Sequence, residues 1–378
     1  MTVRSGRVLD ELSALAGEID TPRAKMVFDL LAETVAAYPQ TPAATFDVIV
    51  AGRGRRIHLK LEGLSPWGSI KGRTAVGLLA SVAPRLTDHS RVIESTSGNL
   101  GVAMAGLCRE LAIPFTAIVD DRLPTCMDRM IRNQGAELLA VAGTRDADDD
   151  LLASRIRLAL HLSSLDPNVV WTNQYENAAN PLIHAIWTGP ELFTQLPHVQ
   201  AIVVAASTGG TLGGLARAAK SSNPNAIVVG ADVVGSRVFG GPSGPRVLTG
   251  VGASRPSRHL QEVTCDAVEI VPSWHGVARC REWRDKTGLA LGGSSGVVLA
   301  AALRCLAARP QLTTVACVCP DLGDNYADTI YDDDWLRSQH AVLEGADDCP
   351  PEPLPSVELI QWAWEAEPPE MPATCAYL

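Results

Sequence analysis

The sequence lacks the features that would assign the protein to a membrane or to nucleic acid. No apolar run approaches the roughly 18 residues that span a bilayer. The N-terminal segment M-T-V-R-S-G-R-V-L-D-E-L carries acids where a signal peptide would be apolar. The formal net charge is −10, which disfavours nucleic acid and anionic membrane surfaces as partners. These absences predict a cytoplasmic protein, although local basic or amide-lined pockets can still bind small anions.

Disulfide and metal signatures are absent as well. The nine cysteines are an odd number, lie scattered along the chain and form no C-x-x-C pair. Most of them stand in apolar stretches, which predicts reduced and buried thiols. No His/Cys spacing matches a zinc site, and no H-E-x-x-H occurs. We therefore expect no metal.

What the sequence does contain is a regular alternation of short β-branched runs with helical patterns. A chain of 378 residues suits two domains or one large α/β unit. The predicted strands cover 47–50, 91–95, 115–119, 201–206, 226–232 and 314–319. The predicted helices cover 100–111, 125–134, 149–163, 181–195, 212–220 and 296–308. This alternation predicts an α/β fold with parallel sheets covered by helices.

The two ends of the chain differ from this middle part. Residues 1–40 predict two amphipathic helices, with Asp20, Thr21 and Pro22 as a cap between them. From about residue 345 the composition turns to proline and acid, as in D-D-C-P-P-E-P-L-P-S. Such a tail is expected to be extended or partly ordered.

Two polar loops in the first half of the chain each lie just before a predicted helix. In S-P-W-G-S-I-K-G-R (65–73), Lys71 precedes an apolar helix. It is either a solvated lysine or a partly buried amine that can act as nucleophile or base. In E-S-T-S-G-N-L-G (94–101), Thr96, Ser97, Gly98 and Asn99 could offer amides and hydroxyls to a carboxylate. An ordinary N-cap turn is the alternative.

Two further loops follow in the second half. Ser207, Thr208, Gly209, Gly210 and Thr211 lie between the strand A-I-V-V-A and a helix, as in a phosphate cradle. The loop has neither G-x-G-x-x-G spacing nor a G-K-[ST] ending, so a phosphate monoester fits better than NAD or ATP. In L-G-G-S-S-G (291–296), Ser294 stands at a predicted helix start. Tight turns and capping are the alternatives, but together the four loops suggest pyridoxal phosphate (PLP) and an amino acid.

In this order the motifs resemble the fold-type II PLP enzymes, the cysteine synthase and β-replacement family. The resemblance runs from about residue 57 to 340 and includes K-L-E-G-L-S-P-W-G-S-I-K-G-R, S-T-S-G-N-L-G, N-Q-Y-E-N-A-A-N-P, S-T-G-G-T, G-V-G-A-S and G-G-S-S-G. It implies a homodimer of chains with two three-layer α/β domains, mostly parallel twisted sheets, and the cofactor in the cleft between them.

The resemblance also implies how the chain is divided. A helical extension (1–42) precedes a smaller α/β domain (43–177) with the lysine and the carboxylate loop, whose first segments are shared with the larger domain. The larger domain (178–344) carries the phosphate loop, and a proline-rich extension follows (345–378).

The resemblance assigns roles by position. Lys71 would hold PLP as a Schiff base, and Asn99 would hydrogen-bond its 3-oxygen. Ser294 would face the pyridine nitrogen. The substrate carboxylate would be held by Thr96, Ser97, Gly98 and Gln174, and the cofactor phosphate by Ser207, Thr208, Gly209, Gly210 and Thr211. A phosphate leaving group would need a second anion site, for which the candidates are Arg246, Arg237 and Arg255, unless these are solvated loop arginines.

Several stretches resemble the branch of the family that starts 2,3-diaminopropionate synthesis in siderophore and peptide-antibiotic pathways; they are E-S-T-S-G-N-L-G, 235–255 and 319–336. That branch implies β-replacement on O-phospho-L-serine through an aminoacrylate, with an amine such as L-glutamate as nucleophile. Sulfhydrylases usually have aspartate at the position of Gly72 and threonine at Leu100. The alternatives are a cysteine synthase using O-acetylserine or O-phosphoserine with sulfide, a serine/threonine dehydratase-type β-eliminase, and a non-catalytic relative that binds an amino acid or a partner.

Overall fold

The computed structural model describes residues 3–96, 98–142, 150–261, 265–345 and 354–365. In chain order, the strands of these residues are β1 (Ala43–Val50), β2 (Arg53–Leu61), β3 (Arg91–Ser95), β4 (Phe115–Asp120), β5 (Glu137–Val141), β6 (Val169–Trp171), β7 (Ala201–Ala205), β8 (Ile227–Val233), β9 (Ala267–Val271), β10 (Thr314–Cys319) and β11 (Val357–Trp364).

The α-helices of the same residues are α1 (Val3–Ala16), α2 (Pro22–Ala37), α3 (Lys71–Val82), α4 (Asn99–Glu110), α5 (Thr125–Asn133), α6 (Leu151–Leu165), α7 (Ala179–Ile183), α8 (Gly189–Gln195), α9 (Gly210–Ser222), α10 (Ser273–Thr287), α11 (Gly293–Ala308) and α12 (Asp333–Gly345). A π-helical turn, His184–Thr188, joins α7 to α8. Across the described ranges, no helix combines the length and apolarity needed to cross a bilayer.

The chain divides into two compact units. The four-stranded unit contains Met1–Pro39 and Lys71–Thr188, and the seven-stranded unit contains Gln40–Ile70 and Gly189–Leu378. The chain therefore changes units three times. The sequence predicted boundaries after residues 42, 177 and 344, with the first segments of 43–177 shared with the larger domain. The physical reason is strand pairing: β1 and β2 join the sheet that contains β10, so 43–61 lies with the later part of the chain.

The four-stranded unit is built on an all-parallel sheet in the order β5-β4-β3-β6. Ile93 and Ile118 pack with Ile156 of α6 in one buried cluster, and α4 contacts β3 and β4. Buried parallel strands read as near-continuous apolar runs, which is why β3 and β4 were predicted from the sequence, whereas the more exposed β5 and the short β6 were not. The carboxyl ends of β3 and β6 lie side by side, since Ile93 pairs with Trp171.

The N-terminal helices belong to the same unit. Thr21 caps α2 through its hydroxyl, which accepts from the Ala24 amide at 3.0 Å, and Pro22 occupies the first turn. After α2, the Tyr38 ring lies edge-on to that of Trp187, with centroids 4.8 Å apart. The guanidinium carbon of Arg73, which is fully buried, lies 5.3 Å and 5.0 Å from the two ring centroids. The N-terminal extension is thus tied to α3 by a cation–π contact.

The seven-stranded unit has the sheet order β11-β1-β2-β10-β7-β8-β9. The run from β2 to β9 is parallel, while β1 pairs antiparallel with both β2 and β11. Residues of α10 and α11 pack in the apolar cluster of one sheet face, and residues of α8 and α9 in the cluster of the other. This confirms the predicted α/β fold with mostly parallel sheets.

A buried ion cluster fixes the start of the seven-stranded unit. The Lys60 ammonium donates to Glu191 Oε1 at 2.6 Å, and Glu62 Oε1 lies 3.9 Å from the same nitrogen. The Thr41 hydroxyl donates to Glu62 Oε1 at 2.8 Å. All four side chains are almost completely buried, so removing one partner would leave an uncompensated charge inside the protein.

The tail contains regular structure that its composition did not predict. β11 lies within the part expected to be extended and pairs with β1, where Phe46 and Trp362 stack with ring centroids 5.5 Å apart. Seven cysteines fall in described segments and all are free thiols. Burial raises the pKa of Cys280 to about 12, which keeps that thiol protonated, as expected for buried, reduced cysteines.

Candidate active site

The loop after β3 opens the first helix of the candidate site. Thr96 Oγ1 accepts hydrogen bonds from the amides of Gly98, at 3.2 Å, and Gly101, at 3.0 Å. The first helical bond of α4 runs from Val102 N to Gly98 O, at 3.2 Å, so the amides of the first turn have no acceptor within the helix. A helix start of this kind accepts a carboxylate. Ser97 lies outside the described residues.

Gln174 is brought to the same loop from the neighbouring strand. After β6, Asn173 adopts a left-handed conformation (φ 54°), and the chain turns back towards β3. The Gln174 side-chain amide donates to the Ser95 carbonyl at 2.5 Å, and Gln174 is buried. The structure thus places Gln174 next to Thr96, although the two residues are far apart in sequence.

A buried acid that the sequence analysis did not single out holds this turn. Glu94, on β3, is completely buried. Its Oε2 accepts from Thr172 Oγ1 at 2.5 Å and from the Gln174 amide at 3.2 Å, and its Oε1 accepts from Trp171 Nε1 at 3.4 Å. Burial raises the pKa of Glu94 to about 7, while these hydrogen bonds act in the opposite direction. The only sequence signal was a charge at the end of an apolar strand.

Lys71 is the first residue of α3 and is half-buried. His184, in the π-helical turn, is completely buried, with Nε2 3.0 Å from Thr74 Oγ1 and Nδ1 2.9 Å from Thr188 Oγ1. Burial, and then the positive charges of Lys71 and Arg73, hold the pKa of His184 well below its ordinary value. His184 is therefore neutral and lies within electrostatic reach of Lys71, which the sequence analysis did not predict.

The loop between β7 and α9 lies in the seven-stranded unit. Gly209 adopts a left-handed conformation (φ 88°) and caps α9. A Cβ at this position would lie 2.1 Å from Ser257 Oγ and 2.8 Å from Leu260 Cγ, so only glycine fits. Gly210 and Thr211 form the first turn, and the first helical bond runs from Gly213 N to Gly209 O at 2.8 Å.

A second segment, the G-V-G-A-S run 250–254, packs against this cradle. Ser207 Oγ donates to the Gly252 carbonyl at 3.0 Å, and the Gly252 amide donates to Ala206 O at 2.8 Å. A little further along, Ser257 Oγ donates to the Thr208 carbonyl at 2.6 Å. The Ser207 hydroxyl is thus engaged by Gly252 within the protein.

Of the three candidate arginines, Arg246 lies beside the G-V-G-A-S run. A Cβ on Gly252 would lie 3.0 Å from Arg246 Nη1, whereas Arg237 is exposed and Arg255 is half-buried. Asp232, another buried acid that was not predicted, stands at the end of β8. Burial raises the pKa of Asp232 to about 6, against the effect of hydrogen bonds and of the Arg246 charge.

Ser294 is the second residue of α11 and is buried. A Cβ on Gly250 would lie 3.5 Å from Ser294 Oγ, so the G-V-G-A-S run also reaches this serine. The helix start is fixed by Asp321: the Ser295 hydroxyl and the Gly292 amide donate to its carbonyl, at 3.1 Å and 3.2 Å. The structure therefore groups Ser294, Arg246 and the cradle residues within the seven-stranded unit.

Each unit has a helix start with short side chains and first-turn amides, which suits an anion. The four-stranded unit also has a lysine at the start of α3, and the seven-stranded unit has a buried serine at the start of α11. The family described as "Pyridoxal-phosphate dependent enzyme" matches residues 36–321. Because the match covers well over half of the chain, the protein belongs to this family, and its cofactor is pyridoxal phosphate.

The relatives and a solved structure refine the comparison. The chain is 35% identical over 312 residues (81% of this chain, 91% of the relative) to the N-(2-amino-2-carboxyethyl)-L-glutamate synthase of Ralstonia nicotianae. It is 34% identical over 302 residues (78% and 88%) to the enzyme of the same name from Cupriavidus metallidurans. The O-acetylserine dependent cystathionine beta-synthase of Helicobacter pylori is similar in structure, with a TM-score of 0.68 and 27% identity over 73% of this chain and 90% of that one. The predicted family and branch are thereby confirmed.

The residues of the chain fit the cofactor. The cradle has short side chains, first-turn amides at the start of the 13-residue helix α9, and a glycine whose Cβ would clash with Ser257 and Leu260. These are the properties that a phosphate group requires. Ser294 offers a hydroxyl rather than a carboxylate to a ring nitrogen, and Lys71 offers a primary amine.

Proposed function

We propose that the protein joins O-phospho-L-serine to the amine of L-glutamate and releases phosphate, giving N-(2-amino-2-carboxyethyl)-L-glutamate. In this β-replacement the Cβ–O bond of the phosphoserine breaks and a bond between Cβ and the glutamate nitrogen forms. The observation that carries the proposal is the identity of 35%, over 81% of the chain, to a synthase of that name. The product is a precursor of 2,3-diaminopropionate in siderophore or peptide-antibiotic biosynthesis.

The two loops supply the binding groups that this reaction needs. The first turn of α4, with Thr96, Ser97, Gly98 and Asn99, holds the substrate carboxylate together with Gln174. The hydroxyl oxygen of Thr96 is occupied by two loop amides, so its proton is directed to an acceptor such as the carboxylate. The cofactor phosphate binds at the start of α9, through the amides and hydroxyls of residues 207–211.

Lys71, Asn99 and Ser294 divide the remaining tasks. Pyridoxal phosphate acts as the electron sink that makes the Cα proton acidic and the β-substituent able to leave. Lys71 holds the cofactor through its amine, and in the reaction this amine removes the proton at Cα and returns it. Asn99 bonds the 3-oxygen of the ring. Ser294 faces the ring nitrogen and, being neutral, does not stabilise a positive charge there as a carboxylate would.

Arg246 is the group we assign to the leaving phosphate. Its guanidinium lies beside Gly252, whose carbonyl is bonded to Ser207, and guanidinium groups suit phosphate because they present paired donors. The neighbouring Asp232 carboxylate balances the charge of Arg246 when the anion is gone. Arg246 is therefore expected to favour O-phosphoserine over O-acetylserine.

The decisive experiment separates this activity from its alternatives. The purified protein with added pyridoxal phosphate is mixed with O-phosphoserine or O-acetylserine, and the cofactor absorbance and phosphate release are followed. Glutamate, other amines or sulfide are then added, and the products are identified by mass. The expected result is one phosphate released for each molecule of the glutamate adduct. Cysteine formed from sulfide alone would indicate a cysteine synthase, pyruvate without any nucleophile an eliminase, and no spectral change a binding protein.

Replacement of the proposed lysine gives the first prediction. We expect Lys71→Ala to lower turnover by about 10³-fold or more, because the proton transfer at Cα loses its base, and to remove the absorbance band of the bound cofactor. Lys220→Ala, which changes an exposed lysine in the last turn of α9, is the control and should leave both properties unchanged. An unaltered band in Lys71→Ala would assign the cofactor to another amine.

We also propose that the enzyme works as a homodimer in the cytoplasm. The family resemblance is what supports the dimer, and the reduced state of the cysteines suits a reducing compartment. Light scattering coupled to gel filtration measures the mass directly; a species of about 80 kDa is expected from a chain of 40.1 kDa. A monomer that is fully active would contradict this part of the proposal.

A further inference from the structure

The turn that carries Gln174 depends on a single buried acid. Three hydrogen-bond donors of the turn converge on the Glu94 carboxylate: the Thr172 hydroxyl, the Gln174 amide and the Trp171 indole. The donors belong to three different residues of one short segment, and the acceptor belongs to the strand beside it. Glu94 therefore acts as a brace between the end of β3 and the chain that leaves β6.

The brace matters because one residue of the turn has an unfavourable backbone conformation. Asn173 lies in the left-handed region (φ 54°), which costs a non-glycine residue free energy unless neighbouring contacts hold it there. The Asn177 side-chain amide donates to the Thr172 carbonyl at 2.9 Å, and that of Asn180 donates to the Gln174 carbonyl at 2.7 Å. Those bonds fix the outer side of the turn, and Glu94 fixes the side that faces β3.

The position of Gln174 follows from this arrangement. Its backbone amide donates to Glu94 Oε2 at 3.2 Å, and its side-chain amide donates to the Ser95 carbonyl at 2.5 Å. Ser95 is the residue before Thr96. A shift of the turn by about 1 Å would break the second bond, given the narrow range of hydrogen-bond lengths. The side chain of Gln174 would then leave the carboxylate loop.

We propose that Glu94 is a positioning residue of the amino-acid site, which holds the turn Trp171–Gln174 so that the Gln174 amide stays beside the loop that receives the substrate carboxylate. Glu94 itself is completely buried and touches the substrate only through Gln174. Its removal should weaken binding of the amino acid much more than it slows the chemical step, because the reacting atoms are handled elsewhere. The proposal deepens the proposed function at the same site.

The surroundings of Glu94 make its ionisation informative. The donors that face it from β6 and the following turn are neutral. Tyr175, a titratable residue after the same turn, has its hydroxyl 3.1 Å from Ser95 O. On α6 and β4, which pack together and next to β3, Arg155 and Asp120 pair with each other at 3.1 Å. Because burial raises the pKa of Glu94 to about 7, the carboxylate gains a proton as pH falls through neutrality, and one oxygen then stops accepting. The Gln174 amide cannot reverse its role, so binding should weaken at low pH.

The test compares Glu94→Gln with wild type and with Glu110→Gln, which changes an exposed glutamate at the end of α4. We expect Glu94→Gln to raise KM for the first amino-acid substrate about tenfold, the equivalent of one lost hydrogen bond to a charged acceptor, while kcat changes less than about threefold. Between pH 6 and 8 the wild-type KM should fall as pH rises, and this slope should be absent in Glu94→Gln. Glu110→Gln should match wild type.

A second pair of variants keeps the test open if Glu94→Gln does not fold. Thr172→Val removes one donor to Glu94 and should raise KM, as Glu94→Gln does. Thr172→Ser keeps the hydroxyl and should have the KM of wild type. Unchanged KM and an unchanged pH slope in Glu94→Gln and Thr172→Val would overturn the proposal. A fall in kcat with KM unchanged would overturn it as well, since that result assigns Glu94 to the chemistry.

The readout can be separated from the proposed reaction. Titration of the cofactor absorbance with L-serine derivatives or other L-amino acids reports binding even if glutamate is not the nucleophile. If wild type binds amino acids but forms no glutamate adduct, the proposed function fails and the weaker binding of Glu94→Gln still supports the brace. If the adduct forms and Glu94→Gln binds amino acids as wild type does, the brace fails and the function stands.

Discussion

Each of the two units has a buried carboxylate near its candidate anion-binding loop, and the two carboxylates are held in different ways. Glu94, behind the carboxylate loop of the four-stranded unit, accepts three hydrogen bonds from neutral donors. Asp232, behind the phosphate loop of the seven-stranded unit, accepts from the Val233 amide at 2.8 Å through Oδ1, while its Oδ2 has no hydrogen-bond partner among the described residues. Arg246 lies within electrostatic reach of Asp232, whereas the largest influences on Glu94 are burial and hydrogen bonds.

The difference between the two acids indicates which interactions fix the conformation of each loop. In the four-stranded unit the Glu94 side chain accepts hydrogen bonds from the turn that follows β6, so the position of this turn depends on one acid. In the seven-stranded unit the cradle is joined to the G-V-G-A-S run by a backbone bond from Gly252 and by the hydroxyls of Ser207 and Ser257. There Asp232 lies within electrostatic reach of Arg246, and the loop geometry depends on main-chain packing. Changes at glycine should therefore damage the phosphate loop most.

The largest effect is expected at Gly209. In Gly209→Ala the new Cβ would lie 2.1 Å from Ser257 Oγ, at a φ of +88°. The left-handed conformation alone costs about tenfold in binding for a residue with a side chain, and the clash moves the cradle further. We expect the affinity for pyridoxal phosphate to fall about 100-fold or more, measured by titration of cofactor absorbance or fluorescence.

Gly98→Ala is the matched variant in the other loop. Its φ is +154°, but the new Cβ would meet only Met127, at 3.6 Å, which is an ordinary contact. We expect it to weaken amino-acid binding through backbone strain while cofactor affinity stays within about threefold of wild type. Equal losses of cofactor affinity in Gly98→Ala and Gly209→Ala would contradict the contrast between the loops.

The two acids should also differ in how they link stability to pH. The pKa of Glu94 rises from 4.5 to about 7 on folding and that of Asp232 from 3.8 to about 6, so the folded protein holds each proton more tightly than the unfolded chain does. For each acid, the stabilising contribution is fully present below the pKa of the unfolded chain and is lost as pH rises through the pKa of the folded protein. Each contribution is on the order of 3 kcal/mol.

The measurement is the thermal unfolding midpoint from pH 5 to 8. Relative to wild type, Asp232→Asn should gain stability with rising pH up to about pH 6.5, and Glu94→Gln should continue to gain up to about pH 7.5, because an amide does not lose a proton. Glu110→Gln should run parallel to wild type. Parallel curves for all three variants would mean that neither buried acid keeps its proton in the folded state.

The sequence predicted the apolar strands of both units well, because burial on both faces leaves a continuous apolar run, as in R-V-I-E-S and T-V-A-C-V-C. It missed β2, whose R-G-R-R-I-H-L-K-L is charged at one end, and β11, whose neighbours along the chain are proline and acid. It also missed β5, β6 and β9, which are short or only partly buried. The candidate site loops were predicted from their glycines and hydroxyls. Glu94 and Asp232 were not predicted, since Glu94 is held by donors more than 70 residues away and the approach of Arg246 to Asp232 is set by folding.

The smallest effect is expected from the hydroxyl that closes the cradle. Ser257 Oγ donates to the Thr208 carbonyl at 2.6 Å, and Ser257→Ala removes this bond but keeps the glycine geometry. The loss is about 1 kcal/mol, or roughly fivefold in cofactor affinity, because the backbone bond from Gly252 to Ala206 remains. Ser221→Ala, at an exposed position of α9, should have no effect. If Ser257→Ala matched Gly209→Ala, hydroxyl contacts rather than main-chain fit would govern the cradle, and the two loops would be braced alike by side chains.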